Sequence, residues 1–184
     1  MDLVKREEVL DYITYEEQRE DIRNEVMAAK RSRRIHLGQY LTFLFENKET
    51  VRYQIQEMMR IEKIVKEADI KHEIDTYNQI LGEPGNIGCT LLIEFNDKAE
   101  REVKLKELMG LPEKIYVVLV NGAKVYAEYD PKQVGKDRLS SVQYLKFSTK
   151  GVRPVAIGVD HPFLKEEATL SSEQQTALKE DIAA

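Results

Sequence analysis

A basic stretch at residues 30–38, Lys-Arg-Ser-Arg-Arg-Ile-His-Leu-Gly, stands out in a 184-residue chain whose formal net charge is −5. Guanidinium groups bind phosphate and carboxylate through two parallel N–H groups, so Arg31, Arg33 and Arg34 are candidate ligands for an anion, with His36 beside them. A second interpretation needs no ligand, because cations in the last turn of a helix complement the negative end of its dipole. The net negative charge argues against general attraction to nucleic acid or to an anionic membrane.

Three polar side chains fall on the apolar side of the helix predicted for residues 48–68. At 100° per residue, Glu62 lies near the centre of the apolar arc, and Gln54 and Glu57 lie among other apolar positions. A carboxylate that faces a core must be paired, metal-bound or protonated. We therefore consider Glu57 and Glu62 as acid–base groups, as metal ligands, or as partners of cations. The preferred hypothesis is that the last residues of the basic stretch neutralise Glu57 or Glu62, and it predicts a pairing of Glu62 with Arg33 or Arg34.

Two of the three histidines, His36 and His161, are candidates for a His/His/carboxylate metal site with Glu57 or Glu62. Asp160 precedes His161 in an expected turn, where a carboxylate can orient an imidazole. No His-x-x-x-His spacing supports the metal site, and hydrogen-bonded structural histidines are the alternative. The sequence identifies no cofactor.

Two further features indicate structure rather than chemistry. Gly82, Gly85 and Gly88 precede a predicted strand instead of opening a helix, which indicates a turn rather than a phosphate-binding loop. Cys89, the single cysteine, lies in an apolar run, so we expect a buried structural thiol. A lone cysteine also excludes an internal disulfide and a cysteine-based zinc site.

The apolar pattern predicts a single α+β domain over residues 1–184, with residues 1–13 loosely packed. A largely antiparallel sheet is expected to pack against one long helix, with further helices near both termini. Thr14 and Glu17 suggest a capping box, Asn47 a helix cap, and Asn121-Gly122 a hairpin. The predicted helices cover residues 14–33, 48–68, 71–81, 97–109 and 172–182. The predicted strands cover residues 35–45 (interrupted at Gly38), 89–95, 115–120, 123–129, 141–147 and 155–159.

Composition and termini predict a soluble cytoplasmic protein. Hydrophobic residues make up 42% and charged residues 33% of the chain, which is ordinary for a globular protein. The N-terminal sequence has no signal-peptide pattern, and no apolar run approaches the roughly 20 residues needed to cross a bilayer. We expect no membrane partner.

Several segments together resemble one bacterial family. They are residues 33–38 (Arg-Arg-Ile-His-Leu-Gly), 41–47 (Leu-Thr-Phe-Leu-Phe-Glu-Asn), 53–62 (Tyr-Gln-Ile-Gln-Glu-Met-Met-Arg-Ile-Glu), 77–78, 90–94, 144–147 and 158–162. The combination resembles the family named domain of unknown function 3501 over nearly the whole chain. That family has no established activity to carry over. The resemblance implies a setting among rubrerythrin-like and iron–sulfur proteins, and any cluster would belong to such a partner, because this chain lacks the cysteines to bind one.

Two functional hypotheses follow from these observations. The first is an accessory or binding protein of a bacterial redox or iron/peroxide-stress system, which binds a partner protein or an anionic ligand through residues 31–36. The second is a metal-assisted enzyme that uses Glu57 or Glu62 together with His36 and His161.

Overall fold

The computed structural model describes residues 2–184, which form five α-helices and eight β-strands. The helices are α1 (Tyr12–Arg31), α2 (Lys48–Glu62), α3 (Glu67–Asn78), α4 (Lys98–Glu107) and α5 (Ser172–Ala183). The strands are β1 (Arg34–Leu37), β2 (Leu41–Glu46), β3 (Ile87–Ile93), β4 (Ile115–Leu119), β5 (Lys124–Tyr126), β6 (Val142–Phe147), β7 (Pro154–His161) and β8 (Leu164–Thr169). The predicted α+β class is confirmed. No helix of these residues is long and apolar enough to cross a membrane.

Two four-stranded antiparallel sheets share the main core. The first has the order β1-β2-β3-β6 and the second the order β5-β4-β7-β8. Inward-facing side chains of both sheets, such as Phe43, Leu145, Val117 and Ile157, belong to one cluster of buried residues. A bridge between residues 128 and 146 links the sheets on one side, and β1 contacts β8 on the other. The arrangement therefore encloses the core on two sides.

The first sheet has an inner face in the core and an outer face that carries most of its polar side chains. In β2, Leu41, Phe43 and Phe45 point into the core, because successive side chains of a strand alternate between faces. The intervening residues of β2 and their cross-strand partners form the outer face, which we define as Arg34, His36, Thr42, Leu44, Glu46, Thr90, Leu92 and Tyr144.

A second, smaller core joins the N-terminal segment to α2 and α3. It contains Val51 and Ile55 of α2 and Ile74 of α3. Residues 1–13 were expected to be loosely packed, but Val4 and Val9 are 2% and 4% exposed and belong to this core. Met1 lies outside the described residues. The assignment of residues 1–184 to a single domain stays a prediction.

The helix predicted for residues 48–68 is wrong in its C-terminal part. Asn47 caps α2 as expected, but the helix ends at Glu62, and Lys63 adopts a left-handed conformation with φ of 53°. The N–H groups of Lys63 and Ile64 both donate hydrogen bonds to the carbonyl of Met59. The Ile64 side chain packs against the second core. At 20 residues, α1 rather than α2 is the longest helix described.

The start of α1 and the end of β7 also differ from the positions predicted from the sequence. Asp11, not Thr14, caps α1, because its carboxylate accepts hydrogen bonds from the N–H groups of Ile13 and Thr14. Strand β7 continues through His161, so the turn comes after this residue rather than at it. Strand β8 then runs along β7 although no strand was predicted there. Its Lys-Glu-Glu run lacks the apolar pattern that predicts a strand, because an edge strand tolerates charged side chains.

Candidate functional site

Arg33 is bound within the protein and does not pair with Glu62. Its Nε and Nη2 atoms donate to the two carboxylate oxygens of Asp181 in α5, at 2.7 Å and 2.8 Å. Its Nη1 atom donates to the carbonyl of Ala29 at 2.9 Å, and the residue is only 8% exposed. The predicted Glu62 pairing is therefore wrong for Arg33, which instead holds the C-terminal helix to the start of β1.

The polar residues singled out on α2 have separate surroundings. Glu57 accepts hydrogen bonds from the Tyr15 hydroxyl at 2.6 Å and from Arg19 at 2.7 Å and 2.9 Å. The hydrogen bonds from Arg19 lower the pKa of Glu57, so the carboxylate stays charged between α1 and α2. Gln54 lies beside the Tyr77 hydroxyl of α3. Glu62 is exposed in the last turn of α2, and none of the ion pairs within residues 2–184 involves it.

His161 is a buried residue of the second sheet. It is 4% exposed, and its Nε2 atom lies 3.1 Å from the carbonyl oxygen of Met109. Its Nδ1 atom accepts a hydrogen bond from the Phe163 N–H at 3.3 Å. Because Nδ1 accepts, the ring proton lies on Nε2, where it is donated to Met109. Both nitrogens are thus engaged by the main chain of neighbouring turns.

His36 is exposed on the outer face and is oriented by two further side chains. Its Nδ1 atom lies 2.9 Å from Thr42 Oγ1, and the Thr42 hydroxyl donates to Glu94 Oε2 at 2.5 Å. An ionised carboxylate can only accept, so the Thr42 proton is committed to Glu94 and its oxygen accepts from the imidazole. Neutral His36 therefore carries its proton on Nδ1 and keeps a lone pair on Nε2.

Glu46 is a buried carboxylate of the outer face that is satisfied by hydroxyl groups. It is 8% exposed, and it accepts from Thr50 at 2.5 Å and from Thr90 at 2.7 Å. The residue ends β2 just before the N-terminus of α2, where the helix dipole stabilises a negative charge. Glu46 thereby fixes the beginning of α2 to the first sheet.

Lys30 reaches from the last turn of α1 toward this part of the sheet. Its ammonium lies 5.1 Å from the centre of the Tyr53 ring, within the range of a cation–π contact. Burial lowers the pKa of Lys30, and the charge of Arg34 acts in the same direction, against that of Glu46.

Lys30 and Arg34 are both cations without a salt bridge among the described residues. Within residues 2–184, neither lies within 4.0 Å of a carboxylate oxygen, and the same holds for the exposed Arg31. The predicted pairing of Glu62 with Arg34 is therefore wrong as well. Cations without a salt bridge can offer an anionic group charge-assisted hydrogen bonds.

The sequence-predicted residues therefore divide into separate groups. Arg34 and His36 lie together on the outer face, whereas Arg33, Glu57, Glu62 and His161 lie elsewhere. Among residues 2–184, no three His, Cys, Asp or Glu side chains come together in a way that would hold a metal ion. The structure does not bring Glu57, Glu62, His36 and His161 into one site.

Sequence reasoning overlooked three participants in the outer face, namely Thr42, Glu46 and Glu94. A signal for the first two was present, because both are polar positions in the alternating segment Leu-Thr-Phe-Leu-Phe-Glu of β2. Glu94 follows β3, and only the pairing of β2 with β3 brings it to Thr42. Its part in orienting His36 has no signature in the local sequence.

Comparison with known proteins confirms the family resemblance. The profile of the family described as "Protein of unknown function (DUF3501)" matches residues 3–182, so the chain belongs to this family. A crystal structure of a novel protein of unknown function from Burkholderia pseudomallei K96243 is similar, with a TM-score of 0.90 and 29% sequence identity. The similarity covers 98% of this chain and 100% of that chain. The comparison with curated proteins found no match.

Proposed function

We propose that this protein is a cytoplasmic binding protein that holds an anionic group, a carboxylate or a phosphate, on its outer face between Lys30, Arg34 and His36. One observation carries the proposal: no carboxylate of the described residues is within salt-bridge distance of the exposed Arg34 on this face or of Lys30, which reaches toward it from α1. An incoming anion would gain charge-assisted hydrogen bonds from both cations.

Each of the three side chains has a distinct part in this proposal. The guanidinium of Arg34 supplies a planar pair of donors, and Lys30 supplies a point charge steadied by the Tyr53 ring. His36 adds a donor only when its Nε2 atom is protonated, because Thr42 already occupies Nδ1.

The experiment uses two probes, inorganic pyrophosphate and a hexaglutamate peptide, titrated into the folded protein and followed by amide NMR shifts. Arg34→Gln and Lys30→Gln should each weaken binding about fivefold or more, the loss expected for one charge-assisted hydrogen bond. Arg31→Gln removes one positive charge from the last turn of α1, next to Lys30 in the sequence, and serves as the matched control. Tighter binding of the peptide would point to an acidic partner segment, and tighter binding of pyrophosphate to a small anion.

If neither probe shifts resonances of the outer face, or if Arg31→Gln weakens binding as much as Arg34→Gln, Lys30 and Arg34 do not form a specific anion site. If His36→Gln leaves the affinity for both probes unchanged, His36 is not part of the site.

We also propose that the physiological partner belongs to a redox or iron/peroxide-stress system, for which this protein is an accessory factor. Support comes from the setting that the family resemblance implies. The single thiol adds a reason to assign redox chemistry to the partner, because Cys89 is fully buried. Direct titration with a purified rubrerythrin-like or iron–sulfur protein from the same bacterium tests this role. Saturable binding that Arg34→Gln weakens supports it, and unchanged spectra at high partner concentration count against it.

A further inference from the structure

A cavity of about 520 Å³ lies at the far edge of the first sheet, away from β1. Its walls come from the C-terminal end of α3, from β6, and from the segment that follows β5. The strands of a sheet are about 4.8 Å apart, so Tyr144 on β6 lies about 14 Å from Arg34 on β1, three strands away. The cavity is therefore distinct from the proposed anion site.

The segment beside β6 is fixed to it by main-chain geometry. The N–H and carbonyl of Glu128 exchange two hydrogen bonds of 2.8 Å with those of Lys146. The side-chain amide of Gln133 pairs in the same manner with the N–H and carbonyl of Tyr144, at 2.7 Å and 2.8 Å. These four hydrogen bonds hold one wall of the cavity in place without a ligand.

Three tyrosines line the cavity, namely Tyr77 of α3, Tyr144 of β6 and Tyr129 of the segment that follows β5. The Tyr129 hydroxyl donates to Glu113 at 2.8 Å, which restrains its ring. Burial raises the pKa of Tyr77 and of Tyr144, so both rings stay uncharged at neutral pH. Neutral aromatic rings attract a cation to their faces.

The charged groups of the lining also favour a cation. Glu128 accepts one hydrogen bond from the Ser148 hydroxyl, and Asp130 accepts one from the N–H of Lys132. A carboxylate has about four acceptor sites, so both retain acceptor capacity. Among residues 2–184, no salt bridge involves Glu128, Asp130 or Lys146. Two carboxylates and one ammonium leave this lining with one excess negative charge.

We infer that this cavity binds a small organic cation, an amine with one positive charge and an apolar aromatic or aliphatic body. The amine is held by Glu128 and Asp130, and the body packs on the rings of Tyr77, Tyr129 and Tyr144. The single ammonium of Lys146 disfavours a second positive charge on the ligand. This site is independent of the anion site and does not require the function proposed above.

Calorimetric titration with two probes of similar body and opposite charge tests the inference. Phenethylammonium should bind saturably, and 3-phenylpropionate should bind at least about fivefold more weakly, because it lacks the attraction to the carboxylates and the rings. Glu128→Gln and Asp130→Asn should each weaken phenethylammonium binding while leaving the main-chain pairing with β6 intact. Arg34→Gln should leave it unchanged, which separates this site from the anion site.

Matched variants distinguish the cavity from nonspecific contacts. Tyr144 and Tyr126 are similarly exposed, at 43% and 47%, but only Tyr144 lines the cavity. Tyr144→Ala should weaken binding and Tyr126→Ala should not. Glu17→Gln, on the exposed side of α1, is the charge control. Equal loss with both tyrosine variants, equal or tighter binding of 3-phenylpropionate, or no saturable binding of phenethylammonium would each overturn the inference.

Discussion

Arg33 and Asp181, 148 residues apart in the sequence, form a buried two-pronged ion pair that ties the C-terminal helix to β1. The side chains are 10% and 7% exposed, so water contributes little to the solvation of either charge. Asn47 also donates to Asp181 at 3.3 Å, which brings the cap of α2 to the same carboxylate. Three distant parts of the chain therefore meet at one carboxylate.

Replacement of Asp181 by Asn should destabilise the protein by roughly 3–5 kcal/mol, because it leaves the guanidinium of Arg33 buried without a counter-charge. Urea unfolding followed by circular dichroism measures this change. Glu180→Gln, at the adjacent exposed position, is the matched control and should change the free energy of unfolding by less than about 0.5 kcal/mol. Similar stabilities of the two variants would show that the pair contributes little.

The Glu57 cluster should make stability depend on pH. Hydrogen bonds from Arg19 hold the folded-state pKa of Glu57 below its ordinary value of 4.5. The unfolded chain therefore binds the proton more readily, and the stabilisation is complete above pH 4.5 and is lost as the pH falls through the folded-state pKa. Glu57→Gln should cost about 1–3 kcal/mol at about pH 7 and less at about pH 3. A cost that is the same at both pH values would contradict this assignment.

Replacement of Glu62 by Gln should be nearly neutral. The sequence-based pairing hypothesis requires a destabilisation of roughly 1–3 kcal/mol, whereas an exposed side chain without an ion pair should change stability by less than about 0.5 kcal/mol. Urea unfolding of the Glu62→Gln and Glu57→Gln variants compares the same chemical change at two positions of one helix. A large loss at Glu62 would mean that its carboxylate has a partner in solution.

His36 should be the Nδ1-protonated tautomer whenever its ring is neutral. Long-range ¹H–¹⁵N correlation spectra of the imidazole distinguish the two tautomers directly. Thr42→Val keeps the shape of the side chain but removes the hydroxyl between His36 and Glu94, so the preference should be lost. Predominance of the Nε2-protonated form in the unaltered protein would contradict the proposed orientation.

Cys89 should be inert in the folded protein. The residue is fully buried in β3, and burial raises the pKa of its thiol well above the usual range, so the reactive thiolate is scarce. An aromatic disulfide reagent should label less than one thiol per chain under native conditions and one thiol per chain in urea. Rapid labelling of the native protein would show that β3 opens readily.

Much of the architecture was predictable, because it depends on local patterns. The alternating apolar run of β2, the hairpin at Asn121-Gly122 and the helix cap at Asn47 all appear where expected. Errors occur where tertiary packing overrides local preference. Lys63 ends α2 in a left-handed conformation although a lysine gives no such signal, since the turn lets Ile64 pack against the second core.

The candidate site was less predictable for a related reason. Arg33 and Arg34 are chemically equivalent neighbours in the sequence, but β1 turns Arg33 toward Asp181 and leaves Arg34 on the surface. Glu57 and Glu62 occupy the same helix, yet only Glu57 faces α1, where Tyr15 and Arg19 reach it. No property of these residue types distinguishes the members of either pair.

The α+β class and the family could be assigned without coordinates, because they follow from the periodicity of apolar residues and from motifs spread along the chain. It also determined that cations and a histidine cluster near residue 34. Which of these side chains are paired within the protein and which face outward depends on the packing of distant elements. Pairing partners such as Asp181 and Glu94 are brought by strand register and helix docking from distant positions, and such long-range contacts leave no local pattern.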